Sequence, residues 1–411
     1  MSAAKTTFEA TQVPFYIRLA ISATSALDSL GINLVNLDLE TFKQKAQEQT
    51  GFSDWGDAQF LRDMEVFLDY ARRNQQSSVI SKIALRTDVM RRLTTYLKLQ
   101  AAKKRHTDLL SQPITSPIII VGLPRTGTTL LQRLLSQDPG AHGPALWELF
   151  NPVTVDSPLS PEELRKQAAN FERTVRGTSL TLWSIHPMAA DEADECFFLL
   201  PQSIGDLSLH LPIDYLDVFM KRSALPDYQL HKQYFQALHY RKPSRRWVWK
   251  SPLHMPKLDD MLTVYPDAHV IWCHRGLGHV VASWISYTAL ARKFVLKTDD
   301  ARQVAQNWMK IWQVSLTEAQ KARDKRPKTQ FFDMQYDELV SDPMVMIQRI
   351  YRHFGMTLTP QADGSMRAWL EADKQKERPG HRYTLDQFGL SGSDLERTFS
   401  EYVNKYDILV D

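Results

Sequence analysis

One stretch constrains the chain more than any other. Pro117-Ile-Ile-Ile-Val-Gly122 is a short, wholly apolar, β-branched run, the pattern of a strand buried on both faces. A helical pattern follows from Thr128 to Ser136. Between them lies Gly122-Leu-Pro-Arg-Thr-Gly127-Thr128-Thr129. Further strand patterns at 246–250 and 268–274 are each followed by a helical one, at 253–264 and from Leu277 onward. Alternation of this kind builds βαβ units around a parallel sheet. The expected fold is therefore α/β, a parallel sheet flanked by helices, with a phosphate-binding strand-loop-helix at its centre.

The glycine spacing is that of the P-loop, Gly-x-x-x-x-Gly-Lys-Ser/Thr. In such a loop, backbone N–H groups and a helix N-terminus point at an anion. Here Thr128 stands at the Lys position and the cation is Arg125, inside the loop. The P-loop Lys serves transfer of a γ-phosphoryl group. Its replacement favours a nucleotide without a γ-phosphate.

The first 110 residues read differently. Phe60, Leu61, Met64, Phe67, Leu68 and Ala71 recur at helical spacing, as do apolar positions from Ile83 to Leu99. Pro113 and Pro117 mark a linker. The expected division is a helical N-terminal extension over 1–110 and an α/β domain over 111–411. Ser160-Pro161-Glu162-Glu163 signals another helix start, with an N-cap, a first-position Pro and a capping-box Glu.

Composition excludes several alternatives. Hydrophobic residues at 43% and charged residues at 24% rule out collagen, coiled coil and wholesale disorder. A net charge of +3 gives no case for nucleic acid, so any anion site must come from local placement of charge. The two cysteines, Cys196 and Cys273, exclude a disulfide framework. Neither they nor the scattered histidines His142, His186, His210 and His231 show metal-ligand spacing, and no metal is expected. No apolar run is long enough to span a membrane. The N-terminal residues lack the layout of a signal peptide. The expectation is a cytoplasmic protein without a transmembrane segment.

Pro-Arg-Thr-Gly-Thr-Thr-Leu-Leu at 124–131 resembles the 5′-phosphosulfate loop of the sulfotransferases that use 3′-phosphoadenosine 5′-phosphosulfate (PAPS), with Thr126 where Ser is commoner. The resemblance, to the bacterial-type or tyrosylprotein-like branch, runs through much of 115–390. It implies PAPS as co-substrate, 3′-phosphoadenosine 5′-phosphate (PAP) as product, and 5′-phosphate contacts from Arg125, Thr126, Gly127, Thr128 and Thr129. The family's 3′-phosphate site is an Arg at a strand end and a Ser eight residues later. Arg275 and Ser283 have that spacing, although Gly276 and Leu277 follow the Arg where the family often has Asp-Pro. Two helical turns bring both side chains to one anion. Tyr336-Asp-Glu-Leu, followed by Asp342-Pro343, resembles a further family stretch and places Tyr336 beside the adenine or the 3′ side. The basic segment Arg378-Pro-Gly-His-Arg382-Tyr383 resembles the loop that closes over the nucleotide, with Arg382 as a contact.

Lys250 ends a strand pattern, in Trp249-Lys250-Ser251-Pro252. Ligands of parallel α/β sheets bind beyond the carboxyl ends of the strands. Arg125, Lys250 and Arg275 all fall there, and Lys250 is the expected partner of the leaving phosphate. Three candidates remain for the base. His254 lies four residues after Lys250 in the expected first turn of a helix, whose positive end favours a neutral imidazole; cytosolic sulfotransferases carry their His two residues after the Lys. Glu148 follows the loop helix, where tyrosylprotein and heparan sulfotransferases keep a Glu. The third is the cluster Asp191, Glu192, Asp194 and Glu195.

The resulting expectation is sulfuryl transfer to a hydroxyl or amine of a small or lipid-like acceptor. Trp183, Phe197, Phe198 and Trp284 are either pocket walls or core. The N-terminal helices either cap the site or form a dimer arm, which leaves a homo-oligomer open. The rival readings are a nucleoside kinase or NTPase with a degenerate loop, and a non-enzymatic nucleotide-binding module.

Overall fold

The structure is a computed structural model, and it describes residues 19, 22–23, 34–57, 59–178, 188–203, 205–240, 245–296, 300–374 and 383–410. Arg382, Trp183 and His186 lie outside the described residues.

Among the described residues, five parallel strands form one sheet: β1 (Ile118–Gly122), β2 (Ala141–His142), β3 (Arg246–Lys250), β4 (His269–His274) and β5 (Phe331–Gln335). Their spatial order is β2-β3-β1-β4-β5. The phosphate-loop strand is thus central, with the Lys250 strand on one side and the Arg275 strand on the other. Register aligns their carboxyl ends. Gly122 pairs with Cys273, Ile120 with Lys250, and His274 with Gln335.

The alternation of side chains along each strand divides the core in two. Ile118, Ile120, Val248 and Ile271 face the helix Thr128–Leu135 through Leu131 and Leu134. Ile119, Val121, Trp249 and Trp272 face the opposite way. There they join Phe42, Phe67, Leu93 and Leu97 from the helices Leu39–Thr50, Gln59–Arg73 and Val79–Arg105. The long helix Val79–Arg105 starts on a Ser78 side-chain cap and ends in Lys103, Lys104 and Arg105, the cationic end that suits the helix dipole. Its Arg92, 8% exposed, donates to the Pro201 carbonyl and to Asp206 Oδ1 at 2.9 Å. The N-terminal helices are thereby tied to the segment that follows Glu195.

The capping box at Ser160 is formed. Ser160 N–H and Oγ both donate to Glu163 Oε2, at 2.7 and 2.8 Å, and the helix Pro161–Thr178 follows. Among the described residues, no helix is long and apolar enough to cross a membrane.

Candidate active site

The loop after β1 is held by close contacts. Gly122 has φ +142°, and a Cβ there would meet the Cys273 carbonyl oxygen at 2.4 Å. Gly127 has φ +87°, and a Cβ would meet the Tyr336 ring at 2.8 Å. Both positions therefore require glycine. Thr126, 1% exposed, donates its hydroxyl to the Leu123 carbonyl at 2.7 Å and fixes the turn from inside. Gly127 caps the helix Thr128–Leu135, which brings the N–H groups of Thr128 and Thr129 to its positive end.

Arg125, at the apex, adopts φ +71°, a conformation a non-glycine residue rarely takes. Such strain is found at functional sites, where the surroundings enforce it. The side chain keeps access to solvent but sits among protein groups. Crowding by the protein, together with the nearby Arg275 charge, lowers its pKa, while Tyr383, Tyr336 and Tyr287 act the other way. A guanidinium stays charged through such a shift.

Arg275 follows β4 directly. Its guanidinium stacks on the Tyr336 ring, 3.8 Å from the centroid, and Nη1 donates to the Arg125 carbonyl at 3.0 Å. Tyr336 itself follows β5 and packs on Gly127. Arg125, Arg275 and Tyr336 are thus brought together at the carboxyl ends of β1, β4 and β5. Ser283 is half-buried on the helix Leu277–Val295, which starts two residues beyond Arg275.

Lys250 ends β3 and is 1% exposed, an unusual place for an ammonium group. It is paired. Nζ donates to Glu195 Oε1 at 2.8 Å, and the other carboxylate oxygen, Oε2, accepts from Ser251 Oγ at 2.8 Å. One carboxylate therefore bridges two consecutive residues at a strand end.

The acidic cluster divides by contact. Asp191 pairs at the surface with Arg165, and Glu192 pairs with Arg133. Asp194 accepts from the Glu195 N–H at 2.7 Å. Within the cluster, Glu195 is the residue joined to the strand-end cation.

Residues 117–360, more than half of the chain, match the family described as Sulfotransferase family. The chain belongs to the sulfotransferase family. It is 26% identical over 301 residues to omega-hydroxy-beta-dihydromenaquinone-9 sulfotransferase Stf3 of Mycobacterium bovis, covering 71% of this chain and 74% of that protein. Among solved structures, sulfotransferase STF1 of Mycobacterium tuberculosis superposes with a TM-score of 0.77 at 27% identity, over 89% of this chain and 98% of that one. Sulfotransferase STF9 of Mycobacterium avium gives 0.80 at 25% identity, over 90% and 96%. The α/β fold expected from the strand–helix alternation is the fold of these sulfotransferases.

One candidate base of this sulfotransferase, His254, sits in a different element than the sequence suggests. His254 is not in the first turn of an α-helix. It lies in the 3-10 segment Pro252–Lys257, and the α-helix begins only at Leu258. Pro256, inside the segment, lacks the amide donor that an α-helix would bond there. The ring is 0% exposed and both nitrogens are engaged: Nε2 is 2.9 Å from Cys196 Sγ, and Nδ1 is 3.0 Å from the Tyr228 hydroxyl. Burial lowers its pKa to about 4, against a smaller opposing effect of Glu195. The imidazole is neutral as expected, but burial is the cause. Glu148 is a helix cap. Its Oε2 accepts from the Ala145 N–H at 3.0 Å and lies 2.8 Å from His142 Nε2.

Cys196, His231 and His254 are buried with possible ligand atoms within 4.8 Å of one another. The Cys196–His254 contact of 2.9 Å is that of a hydrogen bond; a tetrahedral zinc would hold sulfur and nitrogen about 3.5 Å apart.

Sequence reasoning missed Tyr287 and Ser251. Tyr287 feels both Arg125 and Glu195. Burial and then the Glu195 and Asp194 carboxylates push its pKa up to about 12, so the phenol remains a donor. It lies one helical turn past Ser283, a spacing that could have flagged it. Ser251 adjoins Lys250 in the sequence, and nothing local announces its carboxylate partner.

Proposed function

We propose that this sulfotransferase moves the sulfuryl group of PAPS to a hydroxyl of an apolar, lipid-like alcohol or phenol, with Glu195 as general base. The observation that carries this reading is the Lys250–Glu195–Ser251 bridge at the strand end next to the phosphate loop. It supports a site in which a proton acceptor and a cation adjoin the reacting group.

In this reading the loop amides, Arg125, Thr128 and Thr129 bind the 5′ phosphosulfate end. Arg275 and Ser283 bind the 3′-phosphate, and Tyr336 lies beside them. The acceptor O–H gives its proton to the Glu195 carboxylate while its oxygen bonds to sulfur. The bond from sulfur to the phosphate oxygen breaks, and its electron pair stays on PAP. Lys250 and Arg125 offset that charge. Positioning and electrostatics of this kind supply most of the rate in phosphoryl transfer, a closely related reaction.

Two observations favour an apolar acceptor. A series of aromatic contacts starts two residues beyond Glu195: Phe197 and Phe198 stack at 4.4 Å, Phe198 meets Phe150 at 5.3 Å, and Phe150 meets Phe171 at 4.9 Å. The Mycobacterium bovis relative is named for a hydroxylated menaquinone.

The test is transfer from sulfur-labelled PAPS to a panel of phenols, long-chain alcohols and hydroxylated isoprenoid quinones. Labelled product from apolar members is expected, with a loss of at least about 100-fold in Glu195→Gln. Wild-type turnover in Glu195→Gln removes Glu195 as the base.

A further inference from the structure

The Glu195 carboxylate is held at more points than the base reading requires. Three side-chain to side-chain contacts join residues 250–254 to residues 195–196. Lys250 Nζ takes Oε1 and Ser251 Oγ takes Oε2, each at 2.8 Å. His254 Nε2 then meets Cys196 Sγ, on the next residue, at 2.9 Å. The Ser251 hydroxyl has one direction available. Its oxygen accepts from the Leu253 N–H at 3.1 Å, which leaves its proton for Glu195. The His254 ring is fixed on its far side by the Tyr228 hydroxyl at 3.0 Å. In either tautomer the neutral ring joins Tyr228 to Cys196, one nitrogen donating and the other accepting.

We propose that Ser251 and His254 are positioning residues for the Glu195 carboxylate, Ser251 by direct contact and His254 by anchoring Cys196. This rests on Glu195 being the base. The residue that spacing suggested as the base thus serves the reaction from behind it. His254, fully buried with both nitrogens engaged, has no route to an acceptor hydroxyl. What it can do is stop the backbone at 195–196 from shifting, and a displacement of about 1 Å in a catalytic group costs about 100-fold in rate.

The groups around Glu195 are Lys250 and Ser251 from the strand end, Asp194 and Cys196 in its own segment, His254 behind, and Tyr287 from the helix Leu277–Val295. Of these, Ser251 donates to the carboxylate and carries no charge. Its removal therefore withdraws a bond that favours the ionised form and raises the pH at which the base loses its proton.

The experiment compares Ser251→Ala, His254→Asn, His254→Gln and Glu195→Gln in the full chain. Each is measured for kcat, for PAP dissociation constant, and for the acid limb of kcat/KM against pH. Ser251→Ala and His254→Asn should lower kcat by about 10- to 100-fold with PAP affinity within twofold. Ser251→Ala should move the acid limb up by about half a pH unit or more. His254→Gln should recover most of the turnover, because its amide reaches Cys196 as Nε2 does, while the Asn amide reaches only toward Tyr228. A purely structural role would lower thermal stability in both His254 variants and leave kcat and the acid limb unmoved. That result overturns the proposal. Should His254→Asn fail to fold, Cys196→Ala removes the same contact, and wild-type kcat there overturns it equally. Wild-type kcat in Glu195→Gln instead removes the base reading itself, so the two failures are distinct.

Discussion

The Lys250–Glu195 pair gives the sharpest energetic prediction. The ammonium is 1% exposed and the carboxylate 11%, at 2.8 Å. At an effective dielectric constant of 20, two unit charges at that separation attract by about 6 kcal/mol. Desolvation of both ions offsets most of this, so the intact pair adds little to stability. Breaking it is a different matter. Lys250→Met strands a nearly buried carboxylate, and such losses cost about 3–5 kcal/mol. Glu195 keeps its bond from Ser251, which moves the expected cost to the lower end, about 3 kcal/mol. Glu195→Gln leaves an ammonium facing a neutral amide and should cost about 2–3 kcal/mol. The double variant strands no charge. Its cost should stay near that of one single variant, a coupling of about 2–3 kcal/mol. Equilibrium urea unfolding of the four proteins at pH 7.5 measures it. Additivity within about 0.5 kcal/mol would refute the claim that these two groups share one desolvated contact.

Two further outcomes follow from other residues. Arg125 is held at φ +71°, a strain Ala shares and Gly does not; Arg125→Gly should therefore be more stable than Arg125→Ala by about 0.5–1 kcal/mol by urea unfolding, with both inactive. His254 has its folded pKa lowered to about 4 from 6.5, so the unfolded chain binds the proton more readily between those values. Its contribution is complete above 6.5 and lost as pH falls toward 4. Unfolding free energy should drop by about 2 kcal/mol from pH 8 to pH 5 on this account, and the drop should be smaller by that amount in His254→Gln. His231, also lowered by burial, acts in the same direction.

Local chemistry made part of this protein legible. Gly122 and Gly127 announce the loop because their backbone conformations and close contacts leave no alternative to glycine. Lys250 and Arg275 could be placed because strand ends in a parallel sheet share one edge, and the order β3-β1-β4 puts their strands on either side of the loop. The strand β2 is two residues long and carries no periodicity to read. The proposed base is hidden in the sequence for another reason. Glu195 meets Lys250 across 55 positions of sequence, and nothing local separates it from Asp191, Glu192 or Asp194. At His254 the helical spacing misleads, because Pro256 inside the segment lacks the amide donor that α-helical bonding needs, and the stretch is a buried 3-10 turn.

The direct test of the nucleotide reading is thermal unfolding with PAP, with adenosine 5′-phosphate, and with ATP plus magnesium. PAP at 100 times its dissociation constant should stabilise the protein by about 2.7 kcal/mol. Adenosine 5′-phosphate should do so only at much higher concentration, and Arg275→Ala should erase most of the difference between the two. No stabilisation by millimolar PAP, or equal stabilisation by ATP with magnesium, would contradict a PAPS site built on Arg125 and Arg275.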